Sequence, residues 1–169
     1  MSEARKNDLI YTIIGVAIMV PIMTTFNKYL VYSQWMEYPL TTPAFWKQVG
    51  IGICQRLPVV FPLQFFVVQN YAAKKTEEHT HPDDSWVVKS IIRVGFSILI
   101  LCPVLSLYSN LILVIEGNIT SVAGFINNWI PKMVQNWCFA YFAQVFVAGP
   151  LNKHLFGLYM KHKMAKAAK

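Results

Sequence analysis

The sequence predicts an all-α integral membrane protein, a four-helix bundle of two tandem helical hairpins with the N and C termini cytoplasmic. Three observations predict it. Of the 169 residues, 55% are hydrophobic and 14% charged, against about 45–50% and about 25% in an ordinary soluble domain. Residues 9–27, 94–115 and 133–151 carry no charge at all, and each run is long enough for a hydrocarbon core that takes about 20 residues of helix. Lys and Arg gather at one side of the resulting spans, which the positive-inside rule assigns to the cytoplasm.

The first span covers about residues 9–31. Arg5 and Lys6 precede it as in a secretory signal, but the run is long and lacks a small-residue cleavage site, so it reads as an uncleaved span. The second covers about 45–71, and its apolar stretch 48–73 is interrupted only by Arg56. It also holds Pro58 and Pro62, each of which removes a backbone donor and favours a kink. The third and fourth cover about 87–115 and 127–150. Four spans of about 22 residues leave only tails and short connections, so residues 1–169 form one membrane domain with no separate soluble part.

Of the 15 basic residues, Arg5, Lys6, Lys74, Lys75, Lys89, Arg93, Lys153, Lys161, Lys163, Lys166 and Lys169 fall on the inner side of this arrangement. The connections near 34–44 and 116–127 contain no Lys or Arg, as outside loops should. Trp35, Trp46 and Trp129 flank those loops and Trp86 stands at the inner end of the third span, an aromatic belt at each interface. The net charge of +7 is thus spread along membrane-flanking positions and makes no basic face for nucleic acid. The tail 152–169 can lie against anionic lipid through Lys153, Lys161, Lys163 and Lys166.

The two halves of the chain can be set in register. Pro21 against Pro103 aligns Thr24-Thr25-Phe26-Asn27 with Ser106-Leu107-Tyr108-Ser109. After a two-residue shift in the outer loop, Phe45 meets Phe125, Gln55 meets Gln135, Gln64 meets Gln144 and Phe66 meets Phe146. Each half is then a hairpin with proline in its first helix and two glutamines in its second, repeat 1 over about 8–75 and repeat 2 over about 86–162. Two-span repeats are parallel and related by an axis along the membrane normal.

The stretch Phe125-Ile-Asn-Asn-Trp129, with Trp137, Ala140, Gln144 and Gly149-Pro150-Leu-Asn-Lys153, resembles the second helix of a family of small bacterial membrane proteins of unknown function. That family's unit resembles a single two-helix hairpin, here duplicated. The resemblance covers about residues 91–160 well and 10–75 poorly: Gln69-Asn70-Tyr71 stands where the terminal proline would be, and Arg56 stands near mid-helix. It implies architecture and a bacterial cytoplasmic membrane, and no chemistry. The Asn118-Ile119-Thr120 sequon is incidental in that setting.

Arg56 is the strongest single signal, because an ionised side chain within a span costs at least about 2.5 kcal/mol. It either snorkels, pairs with Glu37 or Glu116, or belongs to a ligand site. Thr24 and Asn27 share one face of the first span, and Ser106, Ser109 and Asn110 share one of the third. Gln55 with Arg56, and Gln135 with Asn136, reach comparable depth from the partner helices. The candidate ligand-binding residues are therefore Arg56, Gln55, Asn27, Thr24, Gln135 and Asn136. The same residues also serve as interhelical glue, at about 0.6 kcal/mol per hydrogen bond. With Lys28, Lys47 and Lys132 nearby in depth, the cluster is net cationic and favours an anionic solute or lipid headgroup. Gln55 and Gln64 fall on opposite faces of a straight helix, so one pore could use both only if the helix deforms.

Other chemistry is thin. The loop Glu77-Glu-His-Thr-His81-Pro-Asp-Asp84 has the composition of a metal site, but a polar turn closed by Pro82 explains it equally and no metal is assigned. Cys54, Cys102 and Cys138 are dispersed within spans and form no C-x-x-C, so they act as apolar filler. No serine elbow, phosphate loop or H-E-x-x-H is present, and no catalytic residue or cofactor is expected. The expected role is a non-enzymatic structural or interaction subunit of the membrane, with a membrane protein partner. The alternative is a small transporter that binds an anionic or amphipathic solute around Arg56. Four spans enclose little volume, so a transporter would form a homodimer, with Gly50, Gly52, Gly95 and Ala143 allowing close approach.

Overall fold

The computed structural model describes residues 3–35 and 42–167, and every regular element in it is helical. The elements are α1 (Glu3–Trp35), α2 (Pro43–Pro62), π1 (Leu63–Val68), α3 (Gln69–His79), α4 (Trp86–Ile115), α5 (Val122–Ala143), π2 (Gln144–Ala148) and α6 (Gly149–Ala167). Among the described residues three helices are long and apolar enough to cross a membrane: Arg5–Leu30, Pro43–His79 and Val87–Ile115. The continuous helix from α5 through α6 is long as well, but Asn127, Asn128, Gln135, Asn136 and Gln144 dilute its apolar run. Glu37 lies outside the described residues, as do the side chains of Trp35 and Trp86.

Burial is inverted relative to a soluble protein. Phe66, Phe142 and Phe146 are more than half exposed, at 61%, 61% and 69%, whereas Thr24, Ser106 and Asn110 are fully enclosed. In water that distribution is unfavourable, since an exposed Phe forgoes about 1.5–3 kcal/mol of burial and an enclosed amide must be satisfied internally. In lipid it is the expected one, because apolar side chains face the acyl chains and small or polar residues meet between helices.

The chain forms two compact units, residues 1–65 with 143–169 and residues 66–142. In the first, α1 is a shared spine. Its C-terminal half packs on α2, with Thr24 against Gly52. Its N-terminal half packs on π2 and α6, where Gly15 admits Asn152, Tyr11 meets Phe156 edge-on at 5.4 Å between ring centres, and Lys163 reaches Glu3 at 2.7 Å. The inward row of α1 is Val16, Val20 and Thr24, one residue every fourth position, as a helix packed along one stripe requires. In the second unit α4 has the same role. Its N-terminal half packs on α3, with Tyr71 and His79 on Phe96, and its C-terminal half bonds to α5. The inward row there is Ile98, Cys102, Ser106 and Asn110.

Each second helix is interrupted by a π turn. Pro62 stands immediately before π1, and Pro150 just after π2. A proline leaves a carbonyl of the preceding turn without its donor, and an i→i+5 turn is one way to re-register the ladder. At π2 the Gly149 N–H bonds to the Gln144 carbonyl, five residues back. The helix that holds Gln55 and Gln64 is thus deformed, immediately after the second of its two prolines. Short side-chain bonds within a helix satisfy polar groups that have no water: Thr12 donates to Asp8 O at 2.8 Å, Asn27 to Met23 O at 2.8 Å and Thr76 to Ala72 O at 2.6 Å.

Two outcomes follow. A Cβ on Gly149 would lie 2.6 Å from the Gln144 carbonyl oxygen, whereas one on Gly157 would meet nothing within 4 Å. Gly149→Ala should lower unfolding stability in detergent by about 1–3 kcal/mol, and Gly157→Ala should change it by no more than about 0.5 kcal/mol in the destabilising direction. The second concerns the pin between the two ends of the chain. The Lys163 ammonium holds the Glu3 carboxyl below the usual carboxylate range, and Glu3 in turn raises Lys163. A lowered acid stabilises above its unfolded value and stops doing so as pH falls through its lowered one; a raised Lys does so as pH rises through its raised one. Spin labels at Ala4 and Lys166 should therefore give a narrow distance distribution at neutral pH that broadens at both extremes, and no broadening in acid would show that the contact is not ionic.

Candidate functional site

The polar residues singled out by sequence divide between the two units, and each group is built by i, i+4 spacing on two facing helices. In the first unit Thr24 and Lys28 lie one turn apart on α1, and Gly52 and Arg56 one turn apart on α2. A Cβ placed on Gly52 would be 2.8 Å from Thr24 Cγ2, 3.0 Å from Arg56 Nη1 and 3.6 Å from Lys28 Cε. The side chains of Thr24, Lys28 and Arg56 therefore close on the backbone of Gly52, and they take the space a Cβ there would need. The Arg56 side chain runs back one turn toward the N-terminus of α2, the direction helical side chains lean. Its guanidinium and the end of the Lys28 stem both reach the backbone of Gly52, next to a threonine that is fully buried. Among the described residues the Thr24 Oγ1 atom has no hydrogen-bond partner.

The second unit has a hydrogen-bonded amide group at the corresponding depth. Asn110 donates to the Phe125 carbonyl at 3.2 Å and accepts from Asn128 Nδ2 at 2.9 Å, while Asn136 donates to Ser106 Oγ at 3.3 Å. These bonds join α4 to α5. They are side-chain bonds between apolar helices, the arrangement that links membrane helices in the absence of a hydrophobic drive.

Of the residues chosen from sequence, Thr24, Asn27 and Arg56 lie in the first unit and Asn136 in the second. Asn27 is buried but donates within its own helix, to Met23 O. Gln55 and Gln135 are exposed on their helices and stand outside both groups. The reason is angular: each is next in sequence to the inward residue, Arg56 or Asn136, and so is turned about 100° away from it. Sequence reasoning counted Lys28 only among the cations at similar depth and Gly52 only among the small residues that allow close approach. The signal for them was available, since Lys28 follows Thr24 by one turn and Gly52 precedes Arg56 by one turn.

One further feature lies on the same pair of helices. An open apolar recess of about 500 Å³ is lined by Ile13, Val16 and Ala17 of α1 and Leu57, Pro58, Phe61 and Pro62 of α2. In the connection between α3 and α4, Asp84 accepts from the His81 backbone and Lys89 donates to the Pro82 carbonyl, a turn that uses the loop's polar groups for itself. Among the described residues no three of His, Cys, Asp and Glu are gathered as a metal ion would need. No family model, no curated protein and no solved structure matches the chain.

The Asn110 contacts carry a prediction. Asn110→Ala removes both bonds and leaves Asn128 without its acceptor, so it should cost about 1–3 kcal/mol of unfolding stability in detergent. Leu111→Ala, one position round the helix and exposed, should cost less than about 0.5 kcal/mol. Equal losses would mean that the network does not hold α4 to α5.

Proposed function

We propose that the chain is a small, non-enzymatic, four-span protein of the bacterial cytoplasmic membrane, built as two hairpin repeats, and that it acts as a structural or interaction subunit. The observation that carries the reading is the correspondence of the two units position by position. In the register that sets Pro21 against Pro103, the inward row Val16, Val20, Thr24 answers to Ile98, Cys102, Ser106. In the register that sets Phe45 against Phe125, π1 falls against π2, Val68 against Ala148, and Arg56 against Asn136. Both first helices share their length between two partners, one at each end. A duplicated hairpin explains all of these at once.

With 127–150 as the fourth span, both termini and residues 80–84 lie in the cytoplasm and residues 116–121 outside. Single cysteines at Thr80, Asn118 and Ala168 in a cysteine-free background test this by labelling in intact cells with an impermeant maleimide. The reading requires Asn118 alone to react. Labelling of Ala168 instead would require an odd number of spans and remove the repeat.

A second reading is favoured by the Thr24, Lys28, Gly52 and Arg56 group, which has basic side chains where the second unit has Asn110 and Asn136. Here the first unit binds an anionic or amphipathic solute, as a carrier or sensor would. Two partly enclosed cations attract an anion more strongly than the same pair in water does.

A further inference from the structure

Both π turns fall at one place in the repeat and carry one pattern. Gln64-Phe65-Phe66-Val67 lies within π1 and Gln144-Val145-Phe146-Val147 within π2, so each reads Gln-x-Phe-Val. In the register that pairs Phe45 with Phe125, Phe66 and Phe146 are both exposed, and Val68 and Ala148 are both fully buried. The prolines do not match in this way. Pro58 and Pro62 precede π1, whereas Pro131 lies well before π2 and Pro150 after it, and no proline of one helix answers to a proline of the other. Proline alone therefore does not account for a π turn at the same position twice.

The π turns also coincide with the passages between the compact units. The chain leaves the first unit at 65–66, inside π1, and returns at 142–143, just before π2; no other backbone connection joins the two. Within each unit the helices are tied by side chains. Gly15 with Asn152 and Tyr11 with Phe156 hold α6 to α1, and Asn110 and Asn136 hold α5 to α4. A regular α-helix is stiff over such lengths, and an i→i+5 turn, which interrupts its ladder, is where it bends most easily. Gln64 adds an independent mark. Its Oε1 is enclosed and has no hydrogen-bond partner among the described residues, a cost that a rearrangement supplying a donor would remove.

We infer that π1 and π2 are a pair of hinges: each compact unit keeps its shape, and the two Gln-x-Phe-Val segments bend to carry the protein between two states, with Gln64 gaining a donor in the second. Bending at two points restricts the units to rocking about the line through them, the motion by which repeats in a membrane gate access. The pairing of the hinges rests on the duplicated-hairpin reading, whereas bending at either π turn does not.

The test uses full-length protein in lipid nanodiscs, with paired spin labels in a cysteine-free background. Tyr29 and Leu158 lie in the first unit and Val88 and Val134 in the second, and all four are exposed. Distances for Tyr29 with Leu158 and for Val88 with Val134 should be narrow. Those for Tyr29 with Val134 and for Leu158 with Val88 should be about twice as wide, or split into two populations. Gln64→Leu removes the unmet acceptor and leaves every proline in place, so it should draw the cross-unit distances into one narrow population and leave those within each unit unchanged. Cross-unit distances as narrow as those within the units would overturn the hinges, and broad distances within a unit would show that it does not move as a body. A broad cross-unit distribution that Gln64→Leu leaves unchanged would overturn the role given to Gln64. An odd number of spans, found by the cysteine labelling, would overturn the pairing of the hinges, while these distances still decide the bending.

Discussion

The rest of the structure depends on one constraint: polar side chains carried by apolar helices must find their partners within the protein. Exposed Phe66, Phe142 and Phe146 and enclosed Asn110 and Ser106 are two faces of it. Where a helix cannot satisfy a polar group itself, as Asn27 and Thr12 do through the carbonyl one turn back, another helix must come to it. That requirement brings α5 to Asn110 and Ser106 of α4. It also explains why the inward rows combine small and polar residues with a few branched ones, because close approach lets weak bonds form.

Backbone groups obey the same rule. Prolines in membrane helices leave carbonyls without donors, and the π turns after Pro62 and before Pro150 re-register the ladder there. Gly149 is tied to this solution by geometry, since its own N–H makes the i→i+5 bond and a side chain would strike the carbonyl it serves. The π turns also mark where the chain passes between its two compact units, at residues 65–66 inside π1 and 142–143 just before π2.

Much of the fold was legible because length and apolarity act over whole segments. The helical class and the helices at Arg5–Leu30, Pro43–His79 and Val87–Ile115 follow from runs that no local detail can undo. The π turns were not legible, because one extra residue per turn leaves no compositional trace beyond a nearby proline. The site was legible in its residue types and only partly in its membership. Arg56, Thr24 and Asn136 stand on inward faces, but Gln55 and Gln135 are turned away, since adjacent residues on a helix cannot share a face. Lys28 and Gly52 become site members only through the facing of α1 and α2, which a single-helix pattern does not contain.

On the proposed repeat and the solute-binding reading, answering positions do different work: Asn136 holds helices together, and Arg56 serves a ligand. Melting temperatures of Arg56→Leu and Asn136→Leu, each beside wild type in lipid-free detergent, test that division most directly. The account predicts that Arg56→Leu is at least as stable as wild type, because an apolar chain removes the cost of placing an ionised group within a span, and that Asn136→Leu melts lower as its bond to Ser106 is lost. A loss for Arg56→Leu as large as that for Asn136→Leu would contradict it, and would make Arg56 part of the framework.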